Sequence, residues 1–179
     1  MATLVVDNLA FSFHGNHLAT KYDDWLHYRR FGPAAGMKAV DAVAIRQTTI
    51  PPYCWLVEAK DFRAIRGEPG DKNLIALPAM VASKALDSWT GLEAAACSDK
   101  AEASEREFAQ LARRARRVRV VLHMEPYVGT TTTLFPLNPS PASIQQKLKQ
   151  LVGKLDSNPL VLTIETTAKA GVPWTVTGL

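Results

Sequence analysis

The chain has 179 residues, of which 47% are hydrophobic and 21% are charged. This composition is typical of an ordinary globular protein that buries one sizeable core, so we expect a single domain spanning residues 1–179. No stretch approaches the roughly 18 uninterrupted apolar residues of a membrane span. The opening MATLVVDNLAFSF also lacks the basic region of a secretory signal. We therefore expect a cytoplasmic protein with no membrane partner.

Lys and Arg outnumber Asp and Glu by 21 to 17, which gives a formal net charge of +4. An excess of this size permits a polyanionic partner without requiring one. The two cysteines are too few for a disulfide framework or a zinc site. Because Cys54 lies in a strand-like run and Cys97 ends a helical run, we expect both to be buried thiols.

The first third of the chain predicts a strand, a helix and a hairpin, in that order. Residues 3–13 have a strand pattern, and residues 17–31 carry apolar side chains at helical spacing. The runs 37–47 and 53–62 are rich in Val, Ile and aromatic residues, and TTIPP separates them. These two runs predict a β-hairpin.

Two helices are predicted after the hairpin. The Ala-rich run 73–97 predicts a long, largely buried helix. The run 104–118 begins with Ser104 and has Glu107 three residues later, which is the pattern of a capping box. Its apolar side chains share one helical face, and the other face is basic.

The last part of the chain predicts a strand, a helix and a strand. The strand patterns cover residues 118–124 and 159–166, and Ser140 followed by Pro141 predicts the start of the helix between them. This order indicates two parallel strands joined by a crossover helix. The predicted fold class is therefore α/β, with a mixed β-sheet flanked by helices on both faces.

Charged side chains occur where the hydrophobic run 53–62 ends. Glu58 and Lys60 share one face of the predicted strand, because side chains alternate with period two. A hairpin turn centred on Thr49-Ile50 would set Asp41 directly across from Glu58. Two facing carboxylates repel each other unless a cation lies between them, and their hard oxygen atoms suit Mg²⁺ or Mn²⁺. The alternative is a solvated strand end in which Asp41 pairs diagonally with Lys60.

Asp41, sixteen intervening residues and then Glu58-Ala59-Lys60 at the end of a strand resemble the active-site pattern of the PD-(D/E)xK nuclease superfamily. The resemblance covers residues 17–166, with Val40 at the position of the proline in the family name. It implies a restriction-endonuclease-like fold. That core has three strands before its second helix, so we expect the third strand within 3–13 or from a split of 37–47.

The resemblance also implies an activity, which is metal-dependent hydrolysis of DNA phosphodiester bonds in restriction, repair or phage defence. The catalytic residues would be Asp41, Glu58 and Lys60, with Lys60 orienting or activating the attacking water. Such nucleases often act as homodimers. The alternative is a catalytically inactive protein with the same fold that serves as a nucleic-acid-binding or assembly subunit.

The metal ligands implied by the resemblance are Asp41, Glu58 and the backbone carbonyl of Ala59. The helix before the hairpin often adds one more acid in this superfamily. Asp24 is the first candidate for that position and Asp23 is the second. The implied cofactor is Mg²⁺ or Mn²⁺.

The segment RRARRVR has the densest charge in the chain, with arginines at 113, 114, 116, 117 and 119. Arginine forks match pairs of phosphate oxygens, so Arg113, Arg114, Arg116 and Arg117 are candidates for contacts with a nucleic-acid backbone. One or two cations at a helix C-terminus are explained by its dipole, at about 0.3–1 kcal/mol each. An exposed face or a subunit salt-bridge surface is the alternative.

Two histidine pairs have spacings that a metal could use. These are His14 with His17, and His123 with Glu125. Neither pair has a third or fourth ligand nearby in the sequence. We therefore expect these histidines to lie on the surface or to be hydrogen-bonded in the core.

Overall fold

The computed structural model describes residues 2–46, 52–63, 71–126 and 140–179, with the side chains of 71–73 left out. In chain order, the strands are β1 (Ala2–Val6), β2 (Leu9–Phe13), β3 (His17–Lys21), β4 (Ala42–Arg46), β5 (Tyr53–Asp61), β6 (Arg117–Glu125), β7 (Leu160–Leu162) and β8 (Trp174–Gly178). The α-helices are α1 (Leu26–Phe31), α2 (Asp71–Cys97), α3 (Ala103–Arg113), α4 (Pro141–Val152) and α5 (Ile164–Thr167).

A five-stranded mixed sheet with the order β3-β4-β5-β6-β7 forms the centre of the fold. The strand β4 pairs antiparallel with both β3 and β5, whereas β5, β6 and β7 are parallel. The predicted α/β class and the parallel pair joined by α4 are confirmed. Ser140 caps α4 through a hydrogen bond that its hydroxyl accepts from the Ser143 N–H, and Pro141 is the first helical residue.

The two faces of this sheet are covered differently. Side chains of β5 alternate, so that Leu56 joins a core under α2, α3 and α4 while Val57 joins a second core. The antiparallel sheet β1-β2-β8 covers the second core. The expectation of helices on both faces therefore needs correction. The long helices described share one face, and only the single-turn α5 accompanies the small sheet.

The N-terminal region differs from its predicted elements. Residues 3–13 form two strands, β1 and β2, because the chain turns at Asp7, which has a φ of 50°. Residues 17–31 divide into β3 and the short α1. The backbone of β3 pairs with β4 along its whole length, and this long-range ladder outweighs the apolar spacing that predicted a helix. The third antiparallel strand before α2 is thus β3, and neither expected source supplies it.

The predicted hairpin is present with its predicted register. Ala42 lies opposite Val57 and Ile45 opposite Cys54, so one further step along the ladder sets Asp41 opposite Glu58. The turn at Thr49-Ile50 lies outside the described residues. Alternation then places the Asp41, Glu58 and Lys60 side chains on the face of the sheet that α2 covers.

The capping box predicted for α3 is wrong. This helix begins at Ala103, and Glu102 at its N-cap makes no side-chain capping hydrogen bond. The neighbouring Glu105 instead accepts hydrogen bonds from the Leu26 and His27 N–H groups, at 2.6 and 3.2 Å. These N–H groups begin α1, so the Glu105 carboxylate caps the start of α1 through a tertiary contact.

The two cysteines have different environments. Cys54 is buried in β5 as predicted, and burial raises the pKa of its thiol to about 12. The prediction for Cys97 is wrong because this residue is exposed at the end of α2, where Sγ lies 3.0 Å from the Arg113 guanidinium. Within the described ranges, no helix combines the length and apolarity that a membrane crossing needs.

Candidate active site

Asp41 lies immediately before β4, and hydrogen bonds hold both its side chain and its backbone carbonyl. Its carboxylate Oδ2 accepts a hydrogen bond of 2.8 Å from the Ala59 N–H of β5. Its backbone carbonyl accepts another, of 3.2 Å, from the Tyr22 N–H. Where the hairpin ladder ends, the Asp41 side chain replaces the missing strand partner of Ala59, and this holds the carboxylate against β5.

Glu58 is the buried centre of the cluster, with none of its surface exposed. Its Oε1 atom lies 2.9 Å from Lys60 Nζ and 2.7 Å from Lys84 Nζ. Its other oxygen, Oε2, is buried and has no hydrogen-bond partner among the described residues. A buried carboxylate oxygen without a partner is costly, so this atom is an available ligand.

Lys84 is the residue of this cluster that the sequence analysis missed. It projects from α2, and its Nζ also lies 3.8 Å from Asp41 Oδ1. Two ammonium groups therefore face two carboxylates in one small volume. The only sequence signal was a lysine within an otherwise apolar stretch of helix, MVASKAL. Whether Lys84 points towards the cluster depends on how α2 packs on the sheet.

The pKa shifts in this cluster follow from burial and charge. Burial raises the pKa of the Glu58 carboxyl and the charge of Asp41 raises it further, which together outweigh the two lysines. Burial acts to lower the pKa of Lys60, but the carboxylates of Glu58, Asp41 and Asp7 overcome it and the pKa is raised. Lys60 thus keeps its proton at neutral pH. Asp7 belongs to the turn between β1 and β2, so the small sheet also contributes to the field.

The two candidate acids before the hairpin have different environments. Asp24 is half-exposed and forms ion pairs with Lys21 and Arg29, which turn it towards its own segment. Asp23 has a buried Oδ1 without a partner among the described residues. Burial raises the pKa of Asp23, and the charges of Asp24 and Asp41 add to this shift. The charge of Asp41 therefore acts on Asp23, whereas Asp24 is engaged in local ion pairs.

The oxygen donors of the cluster fit a hard divalent cation. Asp41 and Glu58 supply carboxylates, and the buried Oε2 of Glu58 is unpartnered among the residues described. The backbone of Ala59 is directed towards Asp41 through its N–H. In the described part of the chain, no three Asp, Glu, His or Cys side chains gather as a metal-binding group. The protein donors are thus two carboxylates and a candidate carbonyl, with water or substrate needed to complete a coordination shell.

A second polar cluster lies on the opposite face of the sheet. His123 is fully buried, and its Nε2 lies 3.0 Å from Glu125 Oε1, which also accepts a 2.7 Å hydrogen bond from the Ile164 N–H. Burial lowers the pKa of His123 although Glu125 opposes this effect. The Phe11 ring packs edge-on against the imidazole, with centroids 5.2 Å apart. The contact with Ile164 fixes the start of α5, so we interpret the pair as structural.

The other histidine pair lies at the end of β2 and the start of β3. The exposed His14 places its Nε2 atom 3.1 Å from Thr175 Oγ1 of β8. His17 Nδ1 approaches the His14 backbone carbonyl. The first contact lies within the small sheet, and the second joins the start of β3 to the residue that follows β2, which gives the pair a structural role.

The arginine run divides into paired and unpaired residues. Arg113 lies 3.1 Å from a carboxylate oxygen of Glu93, and Arg119 lies 3.4 Å from one of Asp156. No described carboxylate lies within ion-pair distance of the remaining arginines, Arg114, Arg116 and Arg117. Arg116, Arg117 and Arg119 line a groove of about 400 Å³, together with Ser157 and Asn158.

This groove and the carboxylate cluster lie at opposite ends of the same two strands. In the parallel ladder, Tyr53 pairs with Arg117 and Lys60 pairs with Met124. At about 3.3 Å per residue, the two ends are roughly 23 Å apart along β5. The arginines predicted to contact a nucleic acid are therefore not neighbours of the candidate catalytic residues.

Comparisons with known proteins yield one partial similarity. No family model matches the chain, and no solved structure matches it significantly. The chain is 30% identical over 154 residues to a cysteine–tRNA ligase of Neisseria meningitidis serogroup A, and this match covers 70% of the chain and 21% of the ligase. The chain thus spans about a fifth of the length of this curated relative.

Proposed function

We propose that this protein is a metal-dependent nuclease that hydrolyses DNA phosphodiester bonds. The observation that carries the proposal is the convergence of Asp41, Glu58 and Lys60 at the end of a buried strand. Burying Glu58 beside a second carboxylate costs stability, as its raised pKa indicates. Such a cost is typical of functional sites, where groups are held for chemistry.

A divalent cation bound by Asp41 and Glu58 would polarise the phosphate and activate water for in-line attack. The chain's own contribution is positioning and charge. The Ala59 N–H fixes the Asp41 carboxylate, and the protein core fixes Glu58. Lys60 keeps a positive charge beside the site, where it can orient the water and stabilise the negative charge that builds up during attack.

The topology adds support to the proposal. Three antiparallel strands, β3, β4 and β5, precede the long helix α2, and the parallel strand β6 follows. This order resembles the core that the sequence motif implies. One difference is that α1 lies between β3 and β4 here, instead of before all three strands.

The competing proposal is an inactive protein with this fold that binds nucleic acid or a protein assembly. The observation that favours it is Lys84, whose ammonium lies beside both carboxylates. Together with Lys60 it balances their charge without a metal. In this case the cluster is an ion-pair network and performs no turnover.

Incubation of the purified protein with nucleic acids separates the two proposals. We expect cleavage of plasmid or linear DNA in Mg²⁺ or Mn²⁺, and a rate at least about 100-fold lower for Asp41→Asn. Asp99→Asn is the matched control, because Asp99 is exposed and pairs with its neighbour Lys100. Transfer RNA belongs among the substrates because of the similarity to a cysteine–tRNA ligase.

Cleavage of RNA alone would correct the substrate and keep the reaction. The absence of cleavage of any DNA or RNA in either metal would favour the inactive alternative. Equal rates for Asp41→Asn and the wild type would place the activity outside this site.

A further inference from the structure

The Lys84 ammonium contacts both of the carboxylates that would share a bound cation. Its Nζ lies 2.7 Å from Glu58 Oε1 and 3.8 Å from Asp41 Oδ1. Its side chain is 19% exposed, so solvent reaches part of it, whereas Glu58 is completely enclosed. The ammonium is thus a cation in contact with the proposed metal ligands, and it comes from a helix that the motif does not include.

Charge balance limits what can enter this cluster. Asp41 and Glu58 supply two carboxylates, and Lys60 and Lys84 supply two ammonium groups. A divalent cation added to these four groups would place two further positive charges beside two ammonium groups and the buried Glu58, which is unfavourable. The charge is reduced if Lys84 moves away, and it is reduced further if an anionic phosphate enters with the metal.

We propose that Lys84 is a built-in competitor of the divalent cation, so that metal binding requires Lys84 to leave and is strengthened by a nucleic-acid phosphate. This inference rests on the proposed function, because it presumes a metal on Asp41 and Glu58. The lysine has a flexible four-carbon stem and a partly exposed path, which allow it to move. Its ammonium can then pair with the incoming phosphate.

Calorimetric titration of Mn²⁺ into the 179-residue protein tests this inference without measuring turnover. Lys84→Met keeps most of the aliphatic stem and removes the charge. We expect Lys84→Met to bind Mn²⁺ on the order of 10-fold more tightly than the wild type, because one repelling charge a few ångströms from the metal is removed. Lys149→Met is the control for the chemical change, since Lys149 is exposed on α4.

A second titration measures the coupling to phosphate. A short phosphorothioate oligodeoxynucleotide should tighten Mn²⁺ binding to the wild type on the order of 10-fold, and clearly less in Lys84→Met. If Lys84→Met does not fold, as judged by its melting curve, Lys84→Gln provides the same comparison and keeps a polar contact with Glu58.

The outcomes distinguish the two claims. Wild-type binding of Mn²⁺ with equal or weaker binding by the Lys84 variants would overturn the competitor role and leave the proposed metal site intact. If neither the wild type nor the variants bind Mn²⁺, with or without the oligonucleotide, both the metal-dependent function and this inference are contradicted.

Discussion

Glu58 is the residue on which the proposed metal site depends most. It is completely buried, shares one oxygen between two lysines and leaves the other oxygen without a partner among the described residues. The raised pKa shows that burial and the nearby Asp41 together outweigh the attraction of the lysines. The folded protein therefore bears a cost for keeping this carboxylate ionised at neutral pH, and a bound cation would offset that cost.

Glu58→Gln should show this cost directly. The substitution keeps the shape and an oxygen acceptor for Lys60 and Lys84, but it removes the buried charge and the repulsion from Asp41. Without divalent ions, we expect a melting temperature equal to or higher than that of the wild type. With Mn²⁺, calorimetry should show binding weakened at least about 10-fold because the charge of one ligand is removed.

A clear fall in the metal-free melting temperature would indicate that the two lysine contacts stabilise the fold more than burial of Glu58 destabilises it. The cluster would then be a structural ion-pair network. Glu93→Gln serves as the comparison, because Glu93 forms a more exposed pair with Arg113.

Sequence reasoning placed three of the four charged residues of this cluster. Asp41, Glu58 and Lys60 could be assigned to one face because strand alternation and hairpin register are local properties. Lys84 could not be assigned, since its approach depends on the angle at which α2 packs on the sheet. The preference for Asp24 over Asp23 stays a prediction, although Asp24 forms local ion pairs and the charge of Asp41 acts on Asp23. The sequence analysis treated 17–31 as one helix, but Asp23 and Asp24 follow the end of β3, where helical spacing does not apply.

Among the elements, β5 and β6 determine which charged residues lie close enough to act at one site. The carboxylate cluster lies at the C-terminal end of their parallel ladder, and the arginines lie at its N-terminal end. The arginine run therefore needs a test of its own. A nucleic acid that contacts both ends must extend over roughly 23 Å, or about seven base pairs of duplex.

Changing Arg114, Arg116 and Arg117 together to Gln tests the arginines that have no carboxylate partner among the described residues. If they contact a nucleic-acid backbone, binding should weaken similarly for all sequences. The slope of log affinity against log salt should become shallower by about 0.9 for each duplex phosphate that the variant no longer neutralises. Single substitutions of Arg113 and Arg119 are the controls, because these residues already have carboxylate partners.

An unchanged salt dependence would show that the arginines do not contact the nucleic acid. The groove beside Asn158 would then be a candidate surface for an acidic protein partner. The cleavage rate on short substrates should be independent of this outcome, because the arginines are distant from Asp41 and Glu58.

Whole elements were predictable where the pattern was long or the turn was short. The register of the β4–β5 hairpin, the long helix α2 and the order β6-α4-β7 agree with the sequence analysis. The strand predicted over 159–166 is shorter than expected, because Ile164–Thr167 form α5. By contrast, β3 was predicted as part of a helix, since nothing local shows that His17–Lys21 pairs with Ala42–Arg46. Short edge strands depend on a partner that is distant in sequence.

At the scale of the whole molecule, one mixed sheet separates two hydrophobic cores. The carboxylate cluster lies at the edge of the core beneath α2, α3 and α4. His123 is buried on the other side of the sheet, in the core beneath β1-β2-β8. The small sheet was not predicted because β8 joins it from the far end of the chain, next to β2. The small sheet nevertheless affects the site, since Asp7, in the turn between β1 and β2, contributes to the raised pKa of Lys60.

The measurement that tests the central claim most directly is the rate of DNA cleavage in Mg²⁺ by wild-type protein and by Lys60→Met. In the proposed nuclease, Lys60 acts mainly on the transition state, so its removal should lower the rate on the order of 100-fold or more and change DNA affinity little. The aliphatic stem is retained, so the melting temperature should be nearly unchanged. Wild-type protein that cuts no nucleic acid in Mg²⁺ or Mn²⁺, together with a destabilised Lys60→Met, would contradict the claim and identify Lys60 as a structural partner of Glu58.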